Sequence, residues 1–417
     1  MRPALRSLAH APALALLALA SLPSTSRAVP AFARQTGLQC SACHTQQYPT
    51  LNAFGRRFKL DGYTMIGAQG KVEGTGLSIP AILNASLFFK IRMQKTNGDD
   101  GPGERTTNSG ELQFPDEFAL LIAGRVSQYI GFLLEGQLPS NDAAVLAGFK
   151  VPFSYNVKGL RASVIPFTTD ALGASYGFEL FNTGAVRNIR FMEHRSDMSA
   201  QQYIGTATAA SGTSFVLGNH HFFANVTKWS PAHMAAAEGF ASPMPSASYA
   251  RFGWTPDLGG WDLGLGVQKW FGSARVDDGN GTSTVEEIGT RAWAVDGQAQ
   301  GTVGEFPVSV YVSLATAEAS GTTGNVFNNR PRDRSALAIA GQLGLLPGKA
   351  SLLLAYRNGD NGAATNHQDR ALTIGGMYHL HQNVQLQLNY SMYSGDAYTP
   401  MPANGNRLLT LMLAAGF

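Results

Sequence analysis

The sequence predicts an all-β chain that folds into a transmembrane antiparallel β-barrel of about 16 strands. From residue 81 onward, segments of about ten residues alternate apolar and polar side chains with a period of two. The connections between these segments alternate between long and short. No apolar stretch after residue 28 is long enough for a spanning helix. Only 14% of the residues are charged, and glycine occurs 47 times, which also suits a β chain.

The first segment illustrates the alternation. One face is apolar and comprises Leu83, Ala85, Leu87, Phe89, Ile91 and Met93. The opposite face is polar and comprises Asn84, Ser86, Lys90, Arg92 and Gln94. The same pattern recurs at 308–314 and 384–392. We expect an apolar outside in lipid and a polar lumen, although a soluble β-sandwich would alternate in the same way.

Connection lengths favour the barrel over the sandwich. Long connections are predicted at 96–114, 168–212, 230–246, 272–288, 316–334, 359–369 and 395–406. Short connections are predicted at 127–128, 256–260, 301–304, 347–349 and 381–383. Outer-membrane barrels place long loops outside the cell and short turns in the periplasm. The amphipathic last segment, which ends at Phe417, resembles the final strand of bacterial outer-membrane barrels.

Residues 1–28 are predicted to be a cleaved export signal. A positively charged start precedes a short apolar core at 11–22 and a small-x-small cleavage site that ends at Ala28. Cleavage removes three arginines and no acidic residue, so basic and acidic residues become equal in number. A chain without net charge is not expected to bind nucleic acid.

The strongest chemical signal is a single Cys-x-x-Cys-His string at Cys40, Cys43 and His44, which is typical of c-type haem attachment. The two thiols would add to the vinyl groups of one haem, and the imidazole would become an axial ligand of its iron. A redox dithiol or half of a zinc site is the alternative. The chain has only these two cysteines, and export agrees with haem attachment outside the cytoplasm.

The motif belongs to a small unit at 29–76, predicted to be a monohaem c-type cytochrome segment ahead of a barrel domain at 77–417. A helix is expected from Thr50 to Leu60, capped by Thr50 and ended by Gly62. The apolar residues expected to pack on the porphyrin are Phe32, Leu51, Phe54 and Phe58.

Further haem contacts are expected within this unit. Guanidinium pairs well with carboxylate, so the basic side chains are candidates for the two haem propionates, although they also fit a solvated helix face. These basic residues are Arg34, Arg56, Arg57 and Lys59. Met65 is the only methionine of the unit and the candidate distal iron ligand. An open or water-filled position, or a ligand from the barrel wall, is the alternative to Met65.

The stretch from Pro30 to Gly37, the Cys-x-x-Cys-His motif and the stretch from Leu51 to Tyr63 resemble the fused outer-membrane cytochrome–porins of iron-oxidising bacteria. Those proteins join a short monohaem c-type segment to a porin-like barrel of similar length. The resemblance implies that Cys40 and Cys43 carry haem c and that His44 ligates its iron. It is specific over residues 30–65, and the barrel matches in type. Related cytochrome–porins occur without evident iron oxidation, which leaves the electron donor open.

A fusion of haem and barrel suggests electron transfer across the outer membrane. The apolar band of such a barrel is about 25 Å tall, and electron tunnelling falls steeply with distance. We therefore expect the haem segment in the barrel lumen or on its periplasmic side. Polar lumen residues such as Lys90, Arg92, Arg125 and Glu135 are expected to hold it there.

The expected function is an outer-membrane conduit, surrounded by lipid, that oxidises extracellular iron(II) at the haem. A periplasmic c-type cytochrome would accept the electrons, which would make the protein an iron(II):cytochrome c oxidoreductase. One alternative is a diffusion porin with an accessory periplasmic cytochrome module. Another is a conduit for a different external donor or acceptor.

Overall fold

The structure, a computed structural model, describes most of the chain after the predicted export signal, which lies outside the described residues. The described residues are 30–46, 48–67, 69–99, 106–137, 146–183, 199–233, 244–277 and 285–417. Within these ranges, no helix is long and apolar enough to cross a membrane.

Sixteen antiparallel strands of the described residues close into one barrel, which confirms the predicted fold class. The first eight are β1 (Ala85–Thr96), β2 (Glu111–Arg125), β3 (Gly131–Gln137), β4 (Leu146–Lys150 and Phe153–Val157), β5 (Leu160–Thr169), β6 (Ala210–Gly218), β7 (Phe222–Ser230) and β8 (Ala247–Trp254 and Asp257–Leu258). The next eight are β9 (Trp261–Phe271), β10 (Ala292–Val303), β11 (Phe306–Ala317), β12 (Arg334–Leu346), β13 (Ala350–Asn361), β14 (Gln368–His381), β15 (Val384–Ser394) and β16 (Arg407–Gly416). Each pairs with its neighbours in sequence, and β16 pairs with β1.

The predicted division into an outer and an inner face is confirmed on β1. Lys90, Arg92 and Gln94 are buried on the lumen side, whereas Leu87 and Met93 are exposed on the outside. Strands β11 and β15 follow the same rule. Their exposed outward residues include Val310, Val312, Leu314, Leu386, Leu388 and Tyr390. Their buried inward residues include Ser309, Tyr311, Ser313, Gln387, Asn389 and Ser391. The apolar outer surface is suited to lipid.

All short connections lie at one end of the barrel and the long ones at the other, as predicted. The short turns are 126–130, 158–159, 219–221, 259–260, 304–305, 347–349 and 382–383. One of the two-residue turns joins β4 and β5 through Lys158 and Gly159, both with positive φ, as hairpin turns of the I′ type require. One predicted long loop contains further structure, because Ser273–Asp277 pairs with Val285–Gly289 as a hairpin beyond the barrel rim.

Folded loops fill the long-loop half of the lumen. Trp229 of β7 and Trp270 of β9 point inward and each lies 6.0 Å, between ring centroids, from Phe327 of the connection between β11 and β12. Tyr203, in the connection between β5 and β6, packs in the same buried apolar cluster. This half of the lumen therefore has an apolar core of its own, which the alternating pattern of the strands did not predict.

Candidate functional site

The N-terminal segment, residues 30–46 and 48–67, contacts barrel residues near the short turns. Asp61 forms an ion pair with Arg161 at the start of β5, with 2.6 Å between Oδ1 and Nη2. On the far side of the barrel, Nε2 of His379 near the end of β14 donates to the carbonyl oxygen of Gln46 at 2.9 Å. Both barrel residues stand next to short turns, so the segment is held from two sides of the same end.

Gln35 joins the beginning of the segment to its end and to the wall. Its buried Nε2 donates to the carbonyl oxygens of Tyr63 and Met65, both at 2.7 Å. Its Oε1 accepts from the backbone N–H of Arg125 at 3.1 Å. The guanidinium of Arg125 donates to the carbonyl oxygen of Thr64 at 3.0 Å. Arg125 therefore holds the segment, as predicted.

Two other residues that were predicted to hold the segment have different partners. Lys90 pairs with Glu117 at 2.6 Å, and Arg92 pairs with Asp116 at 2.7 Å. Both acids belong to the neighbouring strand β2, so these pairs join wall to wall. The prediction was wrong for Arg92, whose guanidinium donates to Asp116 of the adjacent strand.

Three helices shape the segment: α1 (Ala31–Thr36), α2 (Cys40–Cys43) and α3 (Ala53–Leu60). Helix α3 begins later than predicted, because Asn52 rather than Thr50 caps it. The side chain of Asn52 accepts from the N–H of Gly55 at 2.9 Å. Residues before it are extended, since Leu51 forms a β-bridge with His44. This bridge places α3 directly against the Cys-x-x-Cys-His motif.

Gly55 is the point at which α3 touches the motif, because a Cβ there would lie 2.2 Å from the carbonyl oxygen of Cys43. Gly55→Ala is therefore expected to displace the backbone of Cys43. We expect the free energy of unfolding to fall by about 1–3 kcal/mol, the usual cost of overpacking. Denaturant titration in detergent measures this. Gly341→Ala is the control, because the nearest atom to its new Cβ is 3.9 Å away. Equal stability of the two variants would contradict the contact.

A cavity of about 330 Å³ lies between the segment and the barrel wall, beside the motif. Volumes of this size are typical of small ligand sites. Cys40, Cys43 and His44 all line it. The ring of Phe32 stacks on Tyr63 at 4.9 Å between centroids and meets Phe58 edge-on at 5.0 Å. The other apolar residues that line the cavity include Leu51, Tyr48, Phe88, Leu121, Leu133 and Leu180.

The donor groups of the motif fit a c-type haem. Cys40 and Cys43 are free thiols, and burial raises the pKa of each. Burial lowers the pKa of His44 to about 4, against the opposing effect of backbone hydrogen bonds with Thr50 and Pro49. The imidazole is therefore neutral at neutral pH, which is the form that ligates iron. Two thiols and a neutral imidazole beside an apolar cavity match what covalent haem requires.

Three other residues predicted for the site, Arg34, Arg56 and Met65, do not line the cavity. The guanidinium of Arg34 donates to the carbonyl oxygen of Ala85, and Arg56 forms an ion pair with Asp262 at the start of β9. Neither arginine, nor Met65, is among the described residues that line the cavity. The structure therefore gives no support to propionate contacts from these arginines or to Met65 as the distal ligand. Of the four predicted apolar contacts, Phe54 alone is exposed and off the cavity.

Lys59, one of the basic residues predicted for the propionates, does line the cavity, together with polar residues that were not predicted for it. Lys59 comes from α3, Glu135 from β3 and Lys150 from β4. Tyr176 and Glu179 come from the long connection after β5. Inward placement of Glu135 and Lys150 follows from strand alternation. Their position next to α3 depends on how the lumen is filled, which local pattern does not reveal.

A buried ion network anchors the connection after β5 beside this cavity. Both nitrogens at the end of the Arg251 guanidinium reach Asp296 of β10, at 2.8 and 3.0 Å. Its Nε lies 3.1 Å from Oε2 of Glu179, and the rings of Phe181 and Phe223 flank it at 5.1 and 5.6 Å. The network fixes Glu179 and thereby one side of the cavity. Within the described chain, no group of three or more His, Cys, Asp or Glu side chains forms a metal site.

Comparisons with known proteins agree with the barrel. A sequence model of the Gram-negative porin family matches residues 246–398, which lie within the barrel. The structure is similar to that of Pseudomonas putida OprB, with a TM-score of 0.54 and 10% identity, over 80% of this chain and 94% of that chain. Salmonella typhi OmpF and Vibrio cholerae OmpT each match 84% of this chain and 100% of their own at 10% identity, with TM-scores of 0.49 and 0.46. No curated protein sequence matches the chain.

The closed barrel, its apolar outer face and its alternating loop lengths define a porin-like β-barrel of the outer-membrane type. At 10% sequence identity, the similarity to OprB shows a shared fold only.

Proposed function

We propose that the protein is an outer-membrane electron conduit built around one c-type haem. The observation that carries this proposal is that Cys40, Cys43 and His44 line one cavity between the N-terminal segment and the barrel wall. The two thiols would hold the haem covalently, and the imidazole would ligate its iron. Phe32 and Phe58 would cover the porphyrin and exclude water. When bound, the haem supplies one-electron chemistry.

The packing of the lumen supports electron transfer over solute diffusion. The N-terminal segment contacts the wall near the short turns, and the cluster of Trp229, Trp270 and Phe327 packs inside the barrel near the long loops. A diffusing solute needs a continuous water-filled path. Electrons tunnel through packed protein, and a haem inside the lumen divides the roughly 25 Å of the apolar band into shorter steps.

We propose extracellular iron(II) as the donor and a periplasmic c-type cytochrome as the acceptor. Oxidation of iron(II) transfers one electron and forms no covalent bond, so one haem suffices. Transfer of the electron at the outer face would leave the poorly soluble iron(III) product outside the cell. The proposal of this donor and this acceptor rests on the chemistry of iron(II) oxidation and on the resemblance of residues 30–65. The barrel does not contribute to it.

A diffusion porin with an accessory cytochrome module is the second candidate. The match of residues 246–398 to the Gram-negative porin family and the porin-like fold favour it. In that case ions and small solutes would pass the lumen, and the N-terminal segment would serve for docking on the periplasmic side.

Sealed vesicles that contain the protein and enclose oxidised cytochrome c distinguish the two functions. Iron(II) added outside is expected to reduce the enclosed cytochrome, and ion conductance is expected to stay far below that of an open porin. The His44→Ala variant is expected to lose the reduction because the imidazole ligand is removed. His220→Ala is the matched control, since His220 lies exposed in a short turn. Porin-like conductance with no response to iron(II) would favour the diffusion porin.

A further inference from the structure

Two lysines from different parts of the fold face the same cavity. Lys150 of β4 is buried, and its Nζ donates to the carbonyl oxygen of Tyr176 at 2.8 Å and lies 4.2 Å from the centroid of that ring. Lys59 of α3 lines the cavity too. Within the described chain, the ammonium of Lys59 has no hydrogen bond or ion pair. An ammonium carries three donors. Among the described residues, the donors of Lys59 are unused, and Lys150 uses one donor on the carbonyl oxygen of Tyr176.

The two lysines share the cavity with two acidic residues. The acidic residues that face them are Glu135 and Glu179. Glu179 is already bound by Arg251 and by the N–H of Phe181. Burial lowers the pKa of Lys59. A carboxylate in contact with its ammonium would raise this pKa again.

Helix α3 relates the lysines to the thiols. Gly55 packs against the carbonyl of Cys43, and Lys59 follows four residues later, on the same helix face and about 6 Å further along the axis. Gly55 and Lys59 both line the cavity. In haem, the two propionates leave the porphyrin on the edge opposite the vinyl groups. A porphyrin attached at the thiols would thus direct its carboxylates away from Cys43, toward the end of α3.

We propose that Lys59 and Lys150 bind the two propionate carboxylates of the haem. This inference rests on the proposed function, because it requires haem at Cys40 and Cys43. Lys59, which is partly buried, is one of the four basic residues that the sequence predicts for the propionates, and the buried Lys150 of the barrel wall would take the place of the predicted arginines. Positive charge beside the haem favours the reduced iron, which carries one positive charge less than the oxidised iron.

The test uses the full-length haem protein in detergent and measures its midpoint potential by spectroelectrochemistry. Lys59→Gln and Lys150→Gln are each expected to lower the potential, and the double variant is expected to lower it further. Lys59→Arg is expected to retain the wild-type value, because it keeps the charge. Arg57→Gln is the matched control, since Arg57 is an exposed cation of the same helix that does not line the cavity.

The possible outcomes separate this inference from the proposed function. Covalent haem in every variant, with one common midpoint potential, would overturn the lysine contacts and leave the haem proposal intact. Wild-type protein without covalent haem would overturn both. If Lys150→Gln does not fold, Lys59→Gln against Lys59→Arg decides, because Lys59 is only partly buried. A lower potential in Lys59→Gln alone, restored by arginine, supports the proposal.

Discussion

Replacing Cys40 and Cys43 together by alanine is expected to abolish covalent haem attachment and to leave the barrel folded. Each thioether needs one thiol, so no covalent bond remains in the double variant. Neither cysteine takes part in the strand pairings that close the barrel. Haem absorbance after denaturing electrophoresis measures attachment, and circular dichroism measures the strands. Single variants are expected to keep one thioether and a smaller haem yield.

Met65→Leu is the matched control for the cysteine variants. Met65 belongs to the same segment and does not line the cavity, so its replacement is expected to leave the visible spectrum of the haem unchanged. A spectrum that changes on Met65→Leu would restore methionine as an iron ligand and contradict the position of this side chain. Haem that survives denaturation in the double cysteine variant would contradict attachment at the motif.

Arg251→Met is expected to destabilise the barrel by about 3–5 kcal/mol, the usual cost of leaving a buried charge without its partner. Asp296 and Glu179 would both lose their cation, and the side chains of all three are almost wholly buried. The loss also removes one of the contacts that hold the connection after β5 to the wall, beside those of Asn182 with Gln298 and of Tyr176 with Lys150. Urea unfolding of the protein in detergent, followed by tryptophan fluorescence, measures the change in free energy.

Arg332→Met provides the comparison for this prediction. Arg332 pairs with Asp360 at 3.3 Å, and its side chain is 47% exposed. Solvent screens such a pair, so its loss is expected to cost about 0–1 kcal/mol. Equal losses in the Arg251 and Arg332 variants would contradict the role given to the buried network.

The barrel was predictable because every strand carries its own signal. A strand between lipid and lumen must alternate, so that Leu87 faces outward and Lys90 inward whatever the rest of the chain does. Turn positions followed because the pattern stops where the strand stops. The beginning of α3 was not predictable in this way. Thr50 and Asn52 are both acceptable caps, and the tertiary bridge between His44 and Leu51 decides between them.

In the candidate site, too, the local motif was predictable and the long-range contacts were not. The Cys-x-x-Cys-His motif is local, so the residues proposed to hold haem are found within five positions. The partner of Arg56 is Asp262, 206 residues further along the chain, and no local pattern shows that this arginine is already paired. Lys150 was missed for the complementary reason. It belongs to the alternation of β4, and only the folded lumen brings it to a cavity shared with α3.

The position of the N-terminal segment constrains the order in which the molecule is assembled. The seam of the barrel joins β16 to β1, from Gly416 opposite Phe88 to Leu408 opposite Thr96. The segment precedes β1 in the chain, yet its Asp61 pairs with Arg161 of β5 and its Gln46 accepts from His379 of β14, on opposite sides of the barrel. Both contacts can exist together only when the strands between them have paired. Complete docking of the segment therefore depends on a wall that is already assembled.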